Sequence, residues 1–198
     1  MNVGRCLGLV LLVALASAQQ AVGQSPDGVH GADWLDAPLV AWNVPGASVP
    51  QATREMPRDP LCERAVRAPE TAGARQLAQQ GWTVDGPSHS AHDVDVVLGA
   101  SGEDGMCRPM GFNLFVFADG RYAGTLSPVL MDSRMDGVVG DIELLGTEAG
   151  HLEPRIRATF RRYAATDPLC CPSGPDTVVE YAIAAGSDGP VVVPLPRP

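Results

Sequence analysis

The feature that most constrains the fold is a run of short strand-like segments that follow one another with no helical segment between them. Each segment is rich in β-branched and aromatic residues or alternates apolar with polar residues, and both patterns are typical of strands. The segments cover residues 82–84, 94–98, 112–117, 122–126, 138–145, 156–162 and 178–183. Because parallel strands need long crossover connections, the run predicts antiparallel pairing and argues against a doubly wound parallel sheet.

One helical segment precedes the strands. Thr71 can cap a helix that continues to about Gln80, and Gly81 then ends it. Farther along, the dipeptide Asp119-Gly120 separates two strand segments and is typical of a type I′ hairpin turn. These signals together predict an α+β fold, a curved antiparallel sheet of six or seven strands with one helix packed on a face.

The N-terminus has the pattern of an export signal over residues 1–18. Arg5 supplies a positive charge, residues 7–15 are apolar, and Ala16-Ser17-Ala18 fits a cleavage site before Gln19. A second acceptable site would cut between residues 23 and 24. Because the apolar stretch is shorter than the roughly 20 residues of a membrane-spanning helix, we expect a cleaved signal and no membrane span. The mature chain is then secreted or periplasmic, within the cell envelope.

Composition divides the remaining chain into three parts. Residues 19–60 contain six prolines and are predicted to form an extended leader. Residues 61–185 are expected to form a single α+β domain linked by disulfides. Residues 186–198 are rich in glycine and proline and are predicted to be a flexible tail.

The balance of charge excludes several classes of function. The chain has 14 basic and 23 acidic residues and a net charge of −9, which argues against a nucleic-acid partner. Every basic residue is arginine, and the chain contains no lysine. Schiff-base chemistry and a P-loop lysine are therefore excluded.

Four cysteines remain once Cys6 is removed with the signal, namely Cys62, Cys107, Cys170 and Cys171. An even number in an exported chain indicates disulfide bonds. A bridge between the adjacent Cys170 and Cys171 is the least expected pairing, because it requires a distorted peptide unit. The two pairings that join Cys62 and Cys107 each to one member of the adjacent pair stay open. Zinc-type and thioredoxin-type Cys-x-x-Cys spacings are absent from the sequence, which disfavours a metal or redox role.

A short acidic segment is a candidate metal site. Asp132, Asp136 and Asp141 could supply carboxylate oxygens to a calcium ion. An EF-hand is disfavoured, because Arg134 occupies a position that needs an oxygen ligand and strand-like segments flank the loop. The alternative is a plain turn between strands, in which Arg134 pairs with a nearby carboxylate.

Three arginines are a candidate ligand patch. Arg155, Arg157 and Arg161 share the parity of one strand and therefore one face. That face is either a solvated surface neutralised by acids on the neighbouring strands or a patch for an anionic ligand or an envelope polymer.

Motifs for catalysis are missing from the sequence. Gly-x-Ser-x-Gly does not occur, paired cysteines cannot act as thiolate nucleophiles, and no carboxylate pair stands out among the 23 acids. We therefore expect a non-catalytic binding or structural module without a cofactor, whose partner is an envelope polymer or protein. The alternative is a secreted hydrolase that uses carboxylates in a concave sheet face.

Several strings of the sequence resemble the LppP/LprE lipoprotein family of exported actinobacterial envelope proteins. The resemblance covers residues 38–184, and it implies a location and a fold but transfers no catalytic residue. The chain differs from the family in one respect, because its only early cysteine, Cys6, precedes the apolar core and does not form a lipobox. We therefore expect no lipid anchor. The strings are Trp42-Asn43-Val44-Pro45-Gly46, Asp104-Gly105-Met106-Cys107-Arg108-Pro109, Phe115-Val116-Phe117, Gly124-Thr125-Leu126-Ser127-Pro128, Met131-Asp132-Ser133-Arg134 and Asp167-Pro168-Leu169-Cys170-Cys171-Pro172-Ser173.

Overall fold

The computed structural model describes residues 33–53, 59–135, 137–146 and 153–197. The predicted signal peptide and the first part of the predicted leader lie outside these residues. Helices are few and short: α1 (Asp33–Asp36), a 3₁₀ helix (Pro60–Ala65) and α2 (Ala72–Gln79). None of the helices in the described ranges is long and apolar enough to cross a membrane.

Strands form most of the structure. They are β1 (Thr83–Ala91), β2 (Val94–Glu103), β3 (Pro109–Ala118), β4 (Arg121–Thr125), β5 (Met131–Asp132), β6 (Val138–Leu145), β7 (Arg155–Arg162), β8 (Gly174–Gly186) and β9 (Gly189–Pro194). The N-terminal sheet has the order β1-β2-β3-β4, with β5 beside the first half of β3. The C-terminal sheet has the order β6-β7-β8-β9. All neighbouring strands within the two sheets run antiparallel.

The predicted α+β class and the single curved sheet are wrong. Strands make up 48% of the structure and helices 10%, so the fold is mostly β, and it has two antiparallel sheets. The physical reason is that the apolar face of a sheet must be covered by another layer. A sheet whose inner face is apolar must pack against another layer, and the eight residues of α2 cannot cover seven strands. The second sheet supplies that layer.

The main core lies between the two sheets. From the N-terminal sheet, Phe112, Leu114 and Val116 of β3 point inward at alternate positions. From the C-terminal sheet, Ile156 and Phe160 of β7 face them. The hydroxyl of the buried Tyr181 donates a hydrogen bond to the carbonyl oxygen of Leu126, which joins the two sheets by a buried polar contact.

Helix α2 covers the outer face of the N-terminal sheet. Thr71 caps it, because its hydroxyl oxygen accepts a hydrogen bond from the backbone N–H of Ala74. Leu77 on the helix packs with Phe115 and Phe117, which alternate with the inward residues of β3. Strand β3 is therefore buried on both faces, which explains its nearly unbroken apolar sequence.

The hairpin turn predicted at Asp119-Gly120 is confirmed. Both residues have positive φ angles, 49° and 71°, and Ala118 pairs with Arg121 on either side of them. A second turn of the same kind, at His92-Asp93, was not predicted. The first of these strand segments is also longer than predicted, because β1 continues from Thr83 to Ala91.

Two predictions about the ends of the domain need correction. The tail predicted to be flexible after residue 186 contains strand β9, which pairs with β8 and lies beside β4. At the other end, residues 19–60 were predicted to form an extended leader. Within the described part, Leu35 is fully buried and Trp34 packs edge-on against Phe160 in the core.

Candidate functional site

A buried carboxylate organises the turn between β2 and β3. Oδ1 of Asp104 accepts hydrogen bonds from the backbone N–H groups of Met106 and Arg108, both at 2.9 Å. Oδ2 of Asp104 accepts the Nε–H of Arg108 at 2.8 Å and also lies 2.8 Å from its Nη2. Arg134 approaches the same oxygen at 3.5 Å. Asp104 therefore fixes the turn from inside, with only 7% of the residue exposed.

These contacts keep Asp104 ionised. Burial alone would raise the pKa of its carboxyl group, but the hydrogen bonds from the backbone and side chain of Arg108 and from the backbone of Met106 outweigh that effect and lower the pKa. The negative charge of Asp104 is thus part of the folded turn.

A disulfide attaches the 3₁₀ helix to this turn. Cys62 in the helix is bonded to Cys107 in the turn, and their Cα atoms are 5.0 Å apart. The bridge closes a loop with a sequence separation of 45. A loop of that size stabilises the fold by about 4 kcal/mol in the chain-entropy model.

The second disulfide joins the adjacent residues Cys170 and Cys171. Our expectation that Cys62 and Cys107 would each pair with one of these two was therefore wrong. The reason is tertiary: the 3₁₀ helix packs at the end of the β2–β3 hairpin, and this brings Cys62 to Cys107. The adjacent cysteines lie on the exposed connection between β7 and β8 and have each other as the partner within reach.

Asp167 holds the loop that carries Cys170 and Cys171. Its carboxylate accepts hydrogen bonds from the hydroxyl and the backbone N–H of Ser173 and from the backbone N–H of Ala164, each at 2.7 Å. The hydrogen bond from the Ser173 hydroxyl, followed by those from the two backbone groups, lowers the pKa of Asp167. The loop is thus closed at its base on both sides of the disulfide.

The two cross-linked loops are in contact. Nη1 of Arg108, the guanidinium nitrogen that does not bind Asp104, donates a hydrogen bond to the carbonyl oxygen of Leu169 at 3.3 Å. The hydroxyl of Tyr163 donates to the same carbonyl at 3.0 Å. Arg108 therefore connects the buried Asp104 with the surface loop that carries the second disulfide.

Exposed apolar side chains surround both disulfides. Leu61 and Met106 are 81% and 73% exposed, the two highest values among the large apolar residues of the described ranges. Leu169 is 58% exposed. Each of the three directly precedes a bridged cysteine. We call Leu61, Met106, Leu169 and the two disulfides the two-disulfide surface.

The three arginines of the predicted ligand patch lie on the outer face of the C-terminal sheet, and each is bound to carboxylates. Arg157 lies between Glu143 and Glu180, at 2.9 and 3.0 Å, on the strands on either side of it. The hydrogen bonds that its guanidinium donates to Glu180 and Glu143 raise the pKa of Arg157. Arg155 is 3.7 Å from Glu180.

Arg161 completes this pattern, because it lies 2.9 Å from Asp176. An anionic ligand at this face would therefore have to displace a carboxylate from each guanidinium. The ligand patch stays a prediction, whereas the cross-strand acids expected as its alternative are present.

The predicted metal ligands are not gathered in the described residues. Asp132 lies in β5 of one sheet and Asp141 in β6 of the other. Each accepts a nearby backbone hydrogen bond, from Arg134 and Ile142 respectively. Asp136 lies outside the described residues, so the trio stays a prediction. Elsewhere in the described ranges, no group of three or more His, Cys, Asp or Glu side chains could hold a metal ion.

Comparison with known proteins decides the relationship of the chain. The family model described as LppP/LprE lipoprotein matches residues 89–185. The match covers just under half of the chain, and this segment is similar to the LppP/LprE lipoprotein family. The resemblance deduced from the sequence is confirmed. No curated protein and no solved structure matches the chain.

The similarity to the LppP/LprE family suggests an exported, envelope-associated protein. The matched segment contains both the Asp104 turn and the Cys170–Cys171 loop, while Cys62 lies before it. Most of the two-disulfide surface is therefore part of the LppP/LprE domain.

One open groove of about 400 Å³ is formed by residues that precede the matched segment. Val66, Arg67, Trp82 and Val84 are among its lining residues, and no carboxylate lines it. The groove lies between the start of β1 and the segment that follows the 3₁₀ helix, where Arg67 donates a backbone hydrogen bond to Val84.

Sequence reasoning missed the organising residues of the LppP/LprE domain. Asp104 and Asp167 were not singled out, although an aspartate whose carboxylate accepts a backbone N–H two residues on is a known turn device. Arg108 was also missed. Its string, Asp104-Gly105-Met106-Cys107-Arg108, contains the signal, because an acid and an arginine four residues apart flank a cysteine.

Proposed function

We propose that the chain is an exported, non-catalytic binding module of the cell envelope that contacts its partner through the two-disulfide surface. The observation that carries this proposal is the exposure of Leu61, Met106 and Leu169 beside the two disulfides. The loops that carry Met106 and Leu169 are joined by the hydrogen bond from Arg108 to the Leu169 carbonyl, and exposed apolar side chains that lie near one another are typical of interaction sites.

The rigidity of this surface supports the proposal. Met106 lies in a turn fixed by Asp104 and by the Cys62–Cys107 bridge, and Leu169 lies in a loop fixed by Asp167. Side chains on loops that are already ordered lose less conformational entropy when a partner binds. A preorganised apolar surface can therefore bind with useful affinity even though it is small.

Local charge indicates the kind of partner. The guanidinium of Arg108 is paired with Asp104, and Arg134 lies near the same carboxylate. These groups therefore do not offer a free cationic site for an anionic polymer. The partner expected from this chemistry is an envelope protein or polymer that presents an apolar surface.

A non-catalytic role is supported by the way the carboxylates are used. Asp104 is bound to arginine, and Asp167 accepts hydrogen bonds that close its own loop. Neither carboxylate lines the groove described above. A hydrolase that uses two carboxylates would need a pair placed about 5–10 Å apart across a substrate cleft.

Site-specific photo-crosslinking in the native envelope tests the proposal. A photoreactive amino acid is placed at Met106 or Leu169 and, as matched controls, at the exposed positions Val40 and Val178. We expect one envelope component to crosslink at 106 and 169 but not at 40 or 178. Equal crosslinking at all four positions, or none at 106 and 169, would contradict the proposal.

Two further measurements address the other expectations about the mature chain. We expect labelling with a radioactive fatty acid to leave it unmarked, because Cys6 precedes the apolar core of the predicted signal. Incubation of the pure protein with envelope polymers should release no soluble fragments, and release that is lost in an Asp132→Asn or Asp141→Asn variant would favour the hydrolase.

A further inference from the structure

The two disulfides differ in their access to solvent. Cys62 in the Cys62–Cys107 bridge is 3% exposed. Cys170 and Cys171 are both exposed on the β7–β8 loop. A thiol in solution must reach a sulfur atom in order to attack a disulfide. Only the adjacent pair presents both of its cysteines to such an attack.

Opening the adjacent bridge would leave the loop attached to the domain. Its base is held by hydrogen bonds from Ala164 and Ser173 to Asp167, and its middle by the Tyr163 hydroxyl on the carbonyl of Leu169. None of these contacts involves a cysteine sulfur. Reduction of the bridge can therefore occur within the folded protein.

Stability does not explain the presence of this bridge. In the chain-entropy model, a disulfide stabilises a protein by restricting the unfolded chain, and the effect grows with the size of the loop that it closes. Adjacent residues close the smallest loop possible. Another role is needed to account for two neighbouring cysteines held on the surface.

A cation lies close to the adjacent pair. Nη1 of Arg108 donates a hydrogen bond to the carbonyl of Leu169, the residue directly before Cys170. Because Arg108 is also paired with Asp104, its role here is to hold Leu169, and with it the part of the loop next to Cys170.

We propose that Cys170–Cys171 is a thiol–disulfide exchange site that reacts with a thiol reductant while the rest of the domain stays folded. In the first step, a reductant thiolate attacks one sulfur of the pair. The S–S bond breaks, a mixed disulfide forms, and the other cysteine leaves as a thiolate. In the second step, another reductant thiol resolves the mixed disulfide. The reductant is oxidised to its disulfide, and Cys170 and Cys171 gain two electrons and two protons to become thiols.

This inference goes beyond the proposed binding role and does not depend on it, because its test needs no binding partner. The native protein is incubated with increasing dithiothreitol, free thiols are alkylated, and mass spectrometry assigns the labelled cysteines. We expect Cys170 and Cys171 to be labelled at least about tenfold faster than Cys62 and Cys107, with an unchanged circular dichroism spectrum.

A Cys171→Ser variant identifies the source of the thiol. Its remaining Cys170 should form a mixed disulfide with oxidised glutathione, which stands for a small thiol, and release reduced glutathione. After activation of Cys170 as its mixed disulfide with thionitrobenzoate, it should likewise exchange with a single-cysteine thioredoxin, which stands for a protein dithiol, and release thionitrobenzoate. Trapping by either one supports the exchange site and indicates which class reacts. Trapping by neither overturns the proposal.

Two further results would also overturn it. One is labelling of all four cysteines at the same rate, and the other is labelling of Cys170 and Cys171 only in denaturant. A Cys170→Ser/Cys171→Ser variant provides the control, since it should lose the rapid labelling and keep the native spectrum.

Discussion

Asn43 is a single side chain that binds both sheets. Its Nδ2 donates hydrogen bonds to the carbonyl oxygens of Thr125 and Val192, at 2.9 and 3.0 Å, and its Oδ1 accepts the backbone N–H of Thr125. Thr125 ends β4 and Val192 lies in β9. At the scale of residues, the domain is therefore held by a few polar side chains that satisfy backbone groups where elements meet.

Replacing Asn43 tests this role. Asn43→Ala removes the three hydrogen bonds between this side chain and backbone groups at the junction of the sheets. We therefore expect it to lower the free energy of unfolding by about 2 kcal/mol. Urea denaturation followed by circular dichroism measures the change. The matched control is Val40→Ala in the same segment, which should change stability by less than about 0.5 kcal/mol because Val40 is exposed.

Asp104 gives a prediction for pH. Its lowered pKa means that its contribution to stability is complete above the pKa of an unfolded aspartate and is lost as the pH falls through the lower folded value. Asp104→Asn should therefore cost about 2 kcal/mol or more at pH 7, and its difference from the wild type should shrink in acid.

Urea denaturation at pH 7 and at about pH 3 measures that difference. Asp93→Asn is the control, since Asp93 is exposed in a turn with a positive φ that asparagine also tolerates. A penalty for Asp104→Asn that stays constant across this range would exclude the ionised carboxylate as its cause.

Strand β3 is buried on both faces. Inward residues such as Phe112 pack between the sheets, and outward residues such as Phe115 pack under α2. The aromatic and β-branched residues of this segment predict a strand, but the covering of both faces depends on the helix and the second sheet. At the scale of elements, local pattern determines the type of structure, whereas the neighbours determine burial.

A substitution that creates a cavity between α2 and the outer face of β3 tests how much this packing contributes to stability. Leu77→Ala removes a fully buried side chain between the helix and the N-terminal sheet, so we expect it to cost about 2–4 kcal/mol. Gln79→Ala, at an exposed position of the same helix, should change the free energy of unfolding by less than about 0.5 kcal/mol. Equal effects of the two changes in urea denaturation would show that α2 is not part of the core.

The whole molecule is a mostly β fold in which two sheets enclose one core, and its N-terminal segment packs across the edge where β4 and β9 meet. Trp42 belongs to this segment, and its Nε1 donates a hydrogen bond to the carbonyl of Thr125. The segment predicted as a leader therefore contributes to the fold. This segment contacts residues as far apart in the chain as Thr125 and Val192.

The two disulfides should differ in their effect on the stability of the whole molecule. Loss of the long-range bridge in Cys62→Ser/Cys107→Ser should lower the free energy of unfolding by about 4 kcal/mol, because it frees a large loop of the unfolded chain. Loss of the adjacent bridge in Cys170→Ser/Cys171→Ser should cost only about 1 kcal/mol by the same reasoning. Urea denaturation of the two variants under one buffer makes the comparison. A larger effect for the adjacent pair would mean that its loop supports the core.

The sequence by itself determined the features that depend on near neighbours in the chain. These include the antiparallel strands, the helix capped by Thr71, the turn at Asp119-Gly120 and the relationship to the LppP/LprE family. Each depends on backbone preferences or on a short string of residues, and a single chain displays both directly.

Only the tertiary structure decided how these elements are combined. The division into two sheets, the contact of β9 with β4 and the pairing of Cys62 with Cys107 all join residues far apart in the chain. So does the contact between Arg108 and Leu169 that connects the two cross-linked loops. Strand patterns indicate which face is apolar but not which layer covers it, and four cysteines do not specify their partners. The covering layer is decided by which apolar faces can be buried against each other in the whole fold. The pairing of the cysteines is then decided by which of them this packing brings close together.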